Sequence, residues 1–195
     1  LKIDYDRYVT IKNHLKEMNY DPKKLYFKSK FNVVDVGFNS IFLKALKDLV
    51  FLLDQINKRS SFLKKYILLN EKKLIKLFNS KKMTFKNKDL KNNTSIEIPS
   101  ITNFFMLFSD LKNKSVNKNL IKSLKKYCKN ENYLFPSINS RHKSFEEKRY
   151  WRGPVWINCN WIIYQGLKNK DKSFAEMIRK KTINLVEKKK FREYY

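Results

Sequence analysis

Glycine, proline and alanine are nearly absent from this chain of 195 residues, which has three, four and two of them. Arginine is scarce as well: lysine outnumbers it 37 to 7, while asparagine reaches 21. Lys, Asn, Ile, Phe and Tyr rise together as Ala, Gly, Pro and Arg fall, the drift expected of a genome poor in G·C. That drift explains the charge. A formal net charge of +26 ordinarily points to nucleic acid, yet the reading of base edges leans on the bidentate fork of arginine. The lysines are also spread along the chain rather than gathered on one element. No nucleic-acid partner is expected.

Cysteine and histidine are equally thin. Cys128 and Cys159 form no Cys-x-x-Cys pair, and His14 and His142 stand alone, so neither a metal site nor a cofactor is expected. Free thiols in a reducing compartment are the default, which reads as cytoplasmic, with a disulfide between the two left open. No run of about 18 uncharged apolar residues exists, so no membrane span or membrane partner is expected.

What remains is a core-forming composition, 42% hydrophobic and 15% aromatic, unlike that of a disordered tail. The chain begins at Leu1 rather than Met and ends at Tyr195 with no trailing polar segment. It is expected to be a single catalytic domain over 1–195, cut at both ends.

Helical periodicity dominates. Tyr5, Tyr8, Val9, Leu15 and Met18 make one stripe, with Asp4 as a candidate cap, and Asp21-Pro22 opens a short turn or helix towards Phe27. A stronger helix carries Phe38, Ile41, Phe42, Ala45, Leu46, Leu49, Leu52, Leu53 and Ile56, widened by Val50 and Phe51. A third, from Ser60 or Ser61, carries Leu63, Tyr66, Ile67, Leu74, Leu77 and Phe78. Met83–Phe85 and Ser95–Ile98 read as a small β-hairpin. Ser100 then caps a helix through Phe104, Phe105, Phe108 and Leu111, and another holds Val116, Leu120, Ile121, Leu124, Tyr127 and Cys128.

The stretch from 129 to 149 reads as a long polar loop, of the kind that often carries function. Pro154 suits the first turn of a helix running to Leu167 that is apolar almost all round, and so is expected to be an inner one. Ser173–Glu176 reads as a capping box opening the last helix. Helix after helix joined by loops predicts helical hairpins arranged as a solenoid or a closed toroid.

Chemistry concentrates late in the chain. All three Trp (Trp151, Trp156, Trp161) and two of the three Gly (Gly153, Gly166) fall within residues 150 to 166. Tyr150 and Trp151 offer aromatic faces for a sugar ring, and Arg152 could bind hydroxyls or a carboxylate, although rings of this type are also ordinary core. Glu193, within Phe191-Arg192-Glu193-Tyr194-Tyr195, is a carboxylate among aromatics, as a general base requires. A lone Glu is more usually a solvated surface residue.

Tyr150-Trp151-Arg152-Gly153-Pro154-Val155-Trp156, then Ile157 to Trp161 and Phe191 to Tyr195, resemble the C-terminal signature of glycoside hydrolase family 63. The resemblance is to the bacterial branch that includes mannosylglycerate and glucosylglycerate hydrolases. Asp4 to Tyr8, Asp35 to Asn39 and Pro136-Ser137 agree with it. The resemblance implies an all-α, (α/α)6 toroid, incomplete here, with the β-hairpin as an insertion. It implies inverting hydrolysis of a small α-glycoside, a small-molecule sugar substrate, and Glu193 as the catalytic base. Tyr150, Trp151 and Trp156 would line the sugar pocket, with Arg152 beside them and Tyr5 contributing from the first helix. The family's general acid, an Asp, lies on a segment preceding the matched region, so the 195 residues alone are expected to be inactive. The alternatives are a related (α/α)6 glycosidase acting on trehalose or α-glucans and a non-enzymatic basic helical binding module.

Overall fold

The computed structural model describes residues 2–129 and 134–195. Its elements run α1 (Lys2–Glu17), α2 (Pro22–Lys28), β1 (Val33–Val34), α3 (Val36–Gln55), α4 (Ser61–Ile75), β2 (Phe78–Asn79), β3 (Thr84–Phe85), β4 (Asn87–Asp89) and β5 (Thr94–Ile96). A 3-10 segment Ile101–Leu107, α5 (Lys114–Tyr127), a short 3-10 turn Tyr150–Arg152, α6 (Ile157–Leu167) and α7 (Lys172–Lys189) complete the order. The chain is mostly helical and divides into two compact units, Leu1–Val34 with Asn87–Ile96, and Asp35–Lys86 with Glu97–Tyr195.

The smaller unit joins α1 and α2 to the antiparallel sheet β1-β4-β5. Asp21 caps α2, its carboxylate accepting from Lys23 N and Lys24 N at 2.9 Å, and Pro22 takes the first turn, where it needs no donor. Asp4 lies inside the first turn of α1. Tyr5 and Tyr8 are exposed, and burial shifts to Met18 just past the helix end.

The expected hairpin between Met83–Phe85 and Ser95–Ile98 is not what forms. Two tighter ones do: Phe78 and Asn79 pair with Phe85 and Thr84, and Asn87, Lys88 and Asp89 with Ile96, Ser95 and Thr94. Asn and Asp turn chemistry sets both bends. Asn79 Oδ1 accepts from Lys82 N at 3.1 Å in the first, and Asp89 Oδ1 accepts from Lys91 N at 2.8 Å in the second.

In the larger unit α3 packs on α4 and on the 3-10 segment, and α6 packs on α7 and the same segment. Ser100 caps that segment as expected, accepting from Thr102 N at 3.3 Å, but the helix is the tighter 3-10 form, with Ile101, Phe104, Phe105, Met106 and Leu107 all buried. It is the hub of the core. Gly166 of α6 lies against it so closely that an added Cβ would meet Leu107 C at 2.7 Å.

The structure corrects further sequence expectations in the helices. The apolar stripe of α3 is largely exposed, Phe38 at 71% and Ile56 at 63%, while Val36, Gly37, Ser40 and Leu43 make the buried face. Helix α6 starts at Ile157, not Pro154, because Val155 is held in extended backbone bridges. It is not buried all round, since Trp161 is 53% exposed. Finally, Asp171 rather than Ser173 caps α7, accepting from Phe174 N at 3.1 Å.

The expected polar loop of 129–149 is irregular over its described part, and residues 130–133 lie outside the described residues. Its segment Leu134–Asn139 is buried, with Phe135 fully enclosed.

Candidate active site

The backbone around the site is a ladder of short extended pieces. Ile101 N donates to Ser137 O at 3.1 Å and Ser137 N to Pro154 O at 3.0 Å, threading 136–139 between the start of the 3-10 segment and the strand leading into α6. Tyr127 secures the middle rung, its hydroxyl donating to Pro136 O at 2.8 Å. On the far side Val155 and Tyr195 exchange both backbone bonds, Val155 N to Tyr195 O at 2.6 Å and Tyr195 N to Val155 O at 2.9 Å. That reciprocal pair is the hydrogen-bonded unit of an antiparallel ladder. It brings the segment after α7, and with it Glu193, beside the Tyr150–Trp156 turn.

The turn itself is shaped by Gly153. A Cβ there would lie 2.1 Å from Glu146 O and 2.8 Å from Glu147 Cα, so only glycine lets the two backbones meet. Glu146 N donates to Arg152 O at 3.0 Å, closing the loop. Its carboxylate accepts from Arg149 Nη1 and Arg152 Nη1, each at 2.9 Å. Those two guanidinium groups, Arg149 first, hold the Glu146 carboxyl below its ordinary range.

Four aromatic rings build the wall. Trp151 and Trp156 stack in parallel, centroids 4.1 Å apart and planes 4° apart. Trp156 is buried and its Nε1–H donates to Tyr150 O at 3.2 Å, whereas Trp151 is 47% exposed. Tyr150 stands edge-on to Trp156 at 4.8 Å and to Tyr194 at 5.6 Å. Its hydroxyl donates to Glu193 Oε1 at 2.7 Å. That bond raises the Tyr150 pKa above its ordinary value, with burial adding to it, so the phenol stays a neutral donor. Among the described residues no donor reaches the second oxygen, Oε2, and Glu193 is exposed.

Of the residues singled out in the sequence, Tyr150, Trp151, Trp156 and Glu193 form one contiguous cluster. Arg152 borders it but is committed to Glu146. Tyr5 belongs to the other unit, exposed on α1. Arg192, next to Glu193, turns away, with Nε donating to Lys189 O at 3.0 Å. Gly153 and Tyr194, which stand inside the two motifs with no role assigned to them in the sequence, and Glu146, which lies outside both, complete the site. The Tyr in Glu-Tyr-Tyr and the glycine inside the tryptophan cluster are the available signals. No such signal marks Glu146.

A cleft of about 680 Å³ lies against the same ladder, lined among others by Phe145, Glu147, Pro154, Arg192 and Tyr194. The larger hollow, about 920 Å³, runs along the lysine-rich face of α5 and contains none of the cluster. Among the described residues no group of three or more His, Cys, Asp or Glu is arranged to hold a metal ion, and no helix is long and apolar enough to cross a membrane.

Comparison with known proteins bears on this cluster. The profile of the mannosylglycerate hydrolase MGH1-like glycoside hydrolase domain matches residues 1–195. A mannosylglycerate hydrolase of Thermus thermophilus is 32% identical over 197 residues, covering 100% of this chain and 47% of its own length. The glucosylglycerate hydrolase of Mycolicibacterium hassiacum is 22% identical over 201 residues, covering 98% of this chain and 45% of that protein. A crystal structure of a family 63 mannosylglycerate hydrolase from Thermus thermophilus, in complex with Tris and D-glycerate, superposes with a TM-score of 0.95 at 32% identity. The match covers 100% of this chain and 48% of that one. Neutral trehalase from Saccharomyces cerevisiae shares the fold alone, with a TM-score of 0.71 at 16% identity over 84% of this chain and 34% of its own. The chain thus spans about half the length of the curated relatives it matches.

Proposed function

This chain belongs to the mannosylglycerate hydrolase MGH1-like glycoside hydrolase domain family, and on that footing we propose that the protein carrying it is an inverting α-glycosidase. Its substrate is a small α-glycoside such as mannosylglycerate or glucosylglycerate, and the 195 residues are part of a catalytic (α/α)6 toroid. The observation that carries this reading is the Tyr150–Glu193 contact next to the half-exposed ring of Trp151.

In this mechanism Glu193 is the general base. As the oxygen of a water molecule bonds to the anomeric carbon, the water's proton passes to the Glu193 carboxylate and the bond to the glycosidic oxygen breaks. The departing oxygen takes a proton from a carboxylic acid on the opposite face of the sugar. Inversion needs the two groups about 6.5–9.5 Å apart, leaving room for the water. Neither Asp4 nor Asp6 is assigned to that acid, which by resemblance is an Asp preceding the matched region.

Trp151 stacks on the C–H face of the sugar, and Trp156 stiffens it from behind. Arg152, drawn part-way from Glu146, meets hydroxyls or the carboxylate of a charged aglycone. The test is Glu193→Ala in the intact protein. Hydrolysis of mannosylglycerate and glucosylglycerate should fall by several orders of magnitude with folding unchanged; near-normal turnover would remove Glu193 from this role.

A further inference from the structure

A carboxylate that activates water must hold one oxygen towards that water, and an exposed glutamate does not do so by itself. The torsion that turns the carboxylate of Glu is broad and nearly two-fold. Glu193 sits on an exposed stretch past the end of α7, with Phe191 at 93% exposure two residues earlier. Its neighbour Arg192 is occupied elsewhere. Something other than burial has to fix it.

We propose that Tyr150 is the positioning residue for Glu193: its hydroxyl locks Oε1, so that Oε2 alone is presented to the water. This rests on the reading of Glu193 as the base and goes beyond it by assigning the group that sets the base's orientation.

The geometry supports this in three ways. The Tyr150 hydroxyl is the only donor to Glu193 among the described residues, at 2.7 Å. The Tyr150 ring, 48% exposed, is flanked by Trp156, Tyr194 and Trp151 at 4.8, 5.6 and 6.0 Å, all nearly perpendicular to it. Its backbone is also anchored, because Tyr150 O accepts from Trp156 Nε1. The other end of the Glu193 segment is fixed two residues on by the reciprocal Val155–Tyr195 bonds. The glutamate is therefore held at two points, one on its side chain and one on its backbone. A ring set nearly perpendicular to three neighbours, with its hydroxyl already on Glu193, is better placed to aim that hydroxyl than to offer a flat face to a sugar. The donor also persists across the working range, because the carboxylate it serves raises the pKa of the phenol. The hydroxyl proton stays on Tyr150 throughout.

Tyr150→Phe keeps the ring and removes only the hydroxyl. In the intact protein kcat should drop about 10- to 100-fold, the worth of one hydrogen bond to a charged group, with KM nearly unchanged. In a Glu193→Ala background the same substitution should cost nothing further, because its route to the reaction is gone. A second readout does not depend on turnover. With ¹³Cζ-labelled tyrosine, the Tyr150 resonance, assigned from its loss in Tyr150→Phe, should titrate above the ordinary tyrosine range and fall back towards about 10 in Glu193→Ala. A raised KM with unchanged kcat would make Tyr150 a sugar contact and overturn the proposal. So would an undiminished effect in the Glu193→Ala background, or a Tyr150 titration indifferent to that substitution. If Glu193→Ala itself keeps its activity, the base reading fails. If Glu193→Ala is inactive and Tyr150→Phe is not, only the positioning role fails.

Discussion

Replacing Gly153 by alanine adds one methyl group at the point where the loop 146–149 crosses the Tyr150–Arg152 turn. That carbon would lie 2.1 Å from Glu146 O, 2.7 Å from Glu146 C and 2.8 Å from Glu147 Cα, all backbone atoms with no side-chain rotation to relieve them. Ordinary carbon contacts need roughly 3.5 Å, so the two strands of chain must separate by more than about 1 Å. The Glu146 N to Arg152 O bond at 3.0 Å and the Arg152–Glu146 ion pair at 2.9 Å would open with them. Overpacking of this kind costs about 1–3 kcal/mol. Tyr150 lies at the head of the displaced turn, and its 2.7 Å bond to Glu193 does not survive a shift of that size. A misplacement of about 1 Å near a reacting group costs about 100-fold in rate.

Gly153→Ala should therefore lower both the melting temperature and, at temperatures where the protein is still folded, kcat. Gly166→Ala is the matched control. Its Cβ would strike Leu107 C at 2.7 Å and Phe108 N at 2.8 Å, backbone again, but between α6 and the 3-10 segment, away from the cluster. It should lose stability to a similar extent and keep kcat. Thermal melts and initial rates on the two variants decide the matter. A Gly153→Ala protein that melts and turns over like its parent would refute the argument, and so would a Gly166→Ala protein that loses kcat equally while folded.

Two further outcomes follow from single contacts. Asp171 caps α7 and pairs with Lys125 at 2.6 Å, and that bond holds its carboxyl below the ordinary range. A depressed pKa adds stability above the unfolded value and loses it as pH falls through the folded one. Asp171→Ala should therefore cost about 1 kcal/mol at neutral pH, with the gap to the parent closing below about pH 4 in denaturant titrations; a constant gap would contradict this. Burial pushes the Cys159 thiol up to about 12, whereas Cys128 is only half-buried. Iodoacetamide at mildly alkaline pH should label Cys128 alone, read by peptide mass, and labelling of Cys159 in the folded protein would count against the packing of α6.

Helix positions are legible where polar and apolar residues segregate cleanly. In α5 the spacing groups Val116, Leu120, Ile121, Leu124, Tyr127 and Cys128; Val116, Leu120, Leu124 and Tyr127 are buried, and Ile121 and Cys128 are half-buried. In α3 the pattern misleads. Its apolar residues exceed what one face can bury, and the inner face includes Lys47, which looks like a solvent residue in sequence. That lysine reaches Glu71 and the Ser109 and Asp110 carbonyls, laying its methylenes along the core. A long charged side chain that buries its stem is invisible to a count of apolar residues. The same limit explains the buried run Leu134–Asn139. Its polar members Ser137 and Asn139 are enclosed because their backbone joins the ladder, a partnership formed with residues distant in sequence.

The candidate site is legible as residue types and not as a mechanism of placement. Clustered tryptophans and a glutamate among aromatics can be picked out because drift towards lysine and asparagine has left them as anomalies. Nothing in that pattern requires residues 150 and 193 to touch. What joins them is one pair of backbone bonds at Val155 and Tyr195, open to any residue type, and one glycine that tolerates no other. Pro154 reads in sequence as a helix opener, although its carbonyl serves Ser137 and its neighbour serves Tyr195. Extended backbone at 154–155 thus does what a helical turn there could not, since a helix would spend the Val155 carbonyl on its own ladder and leave the Glu193 segment without an anchor.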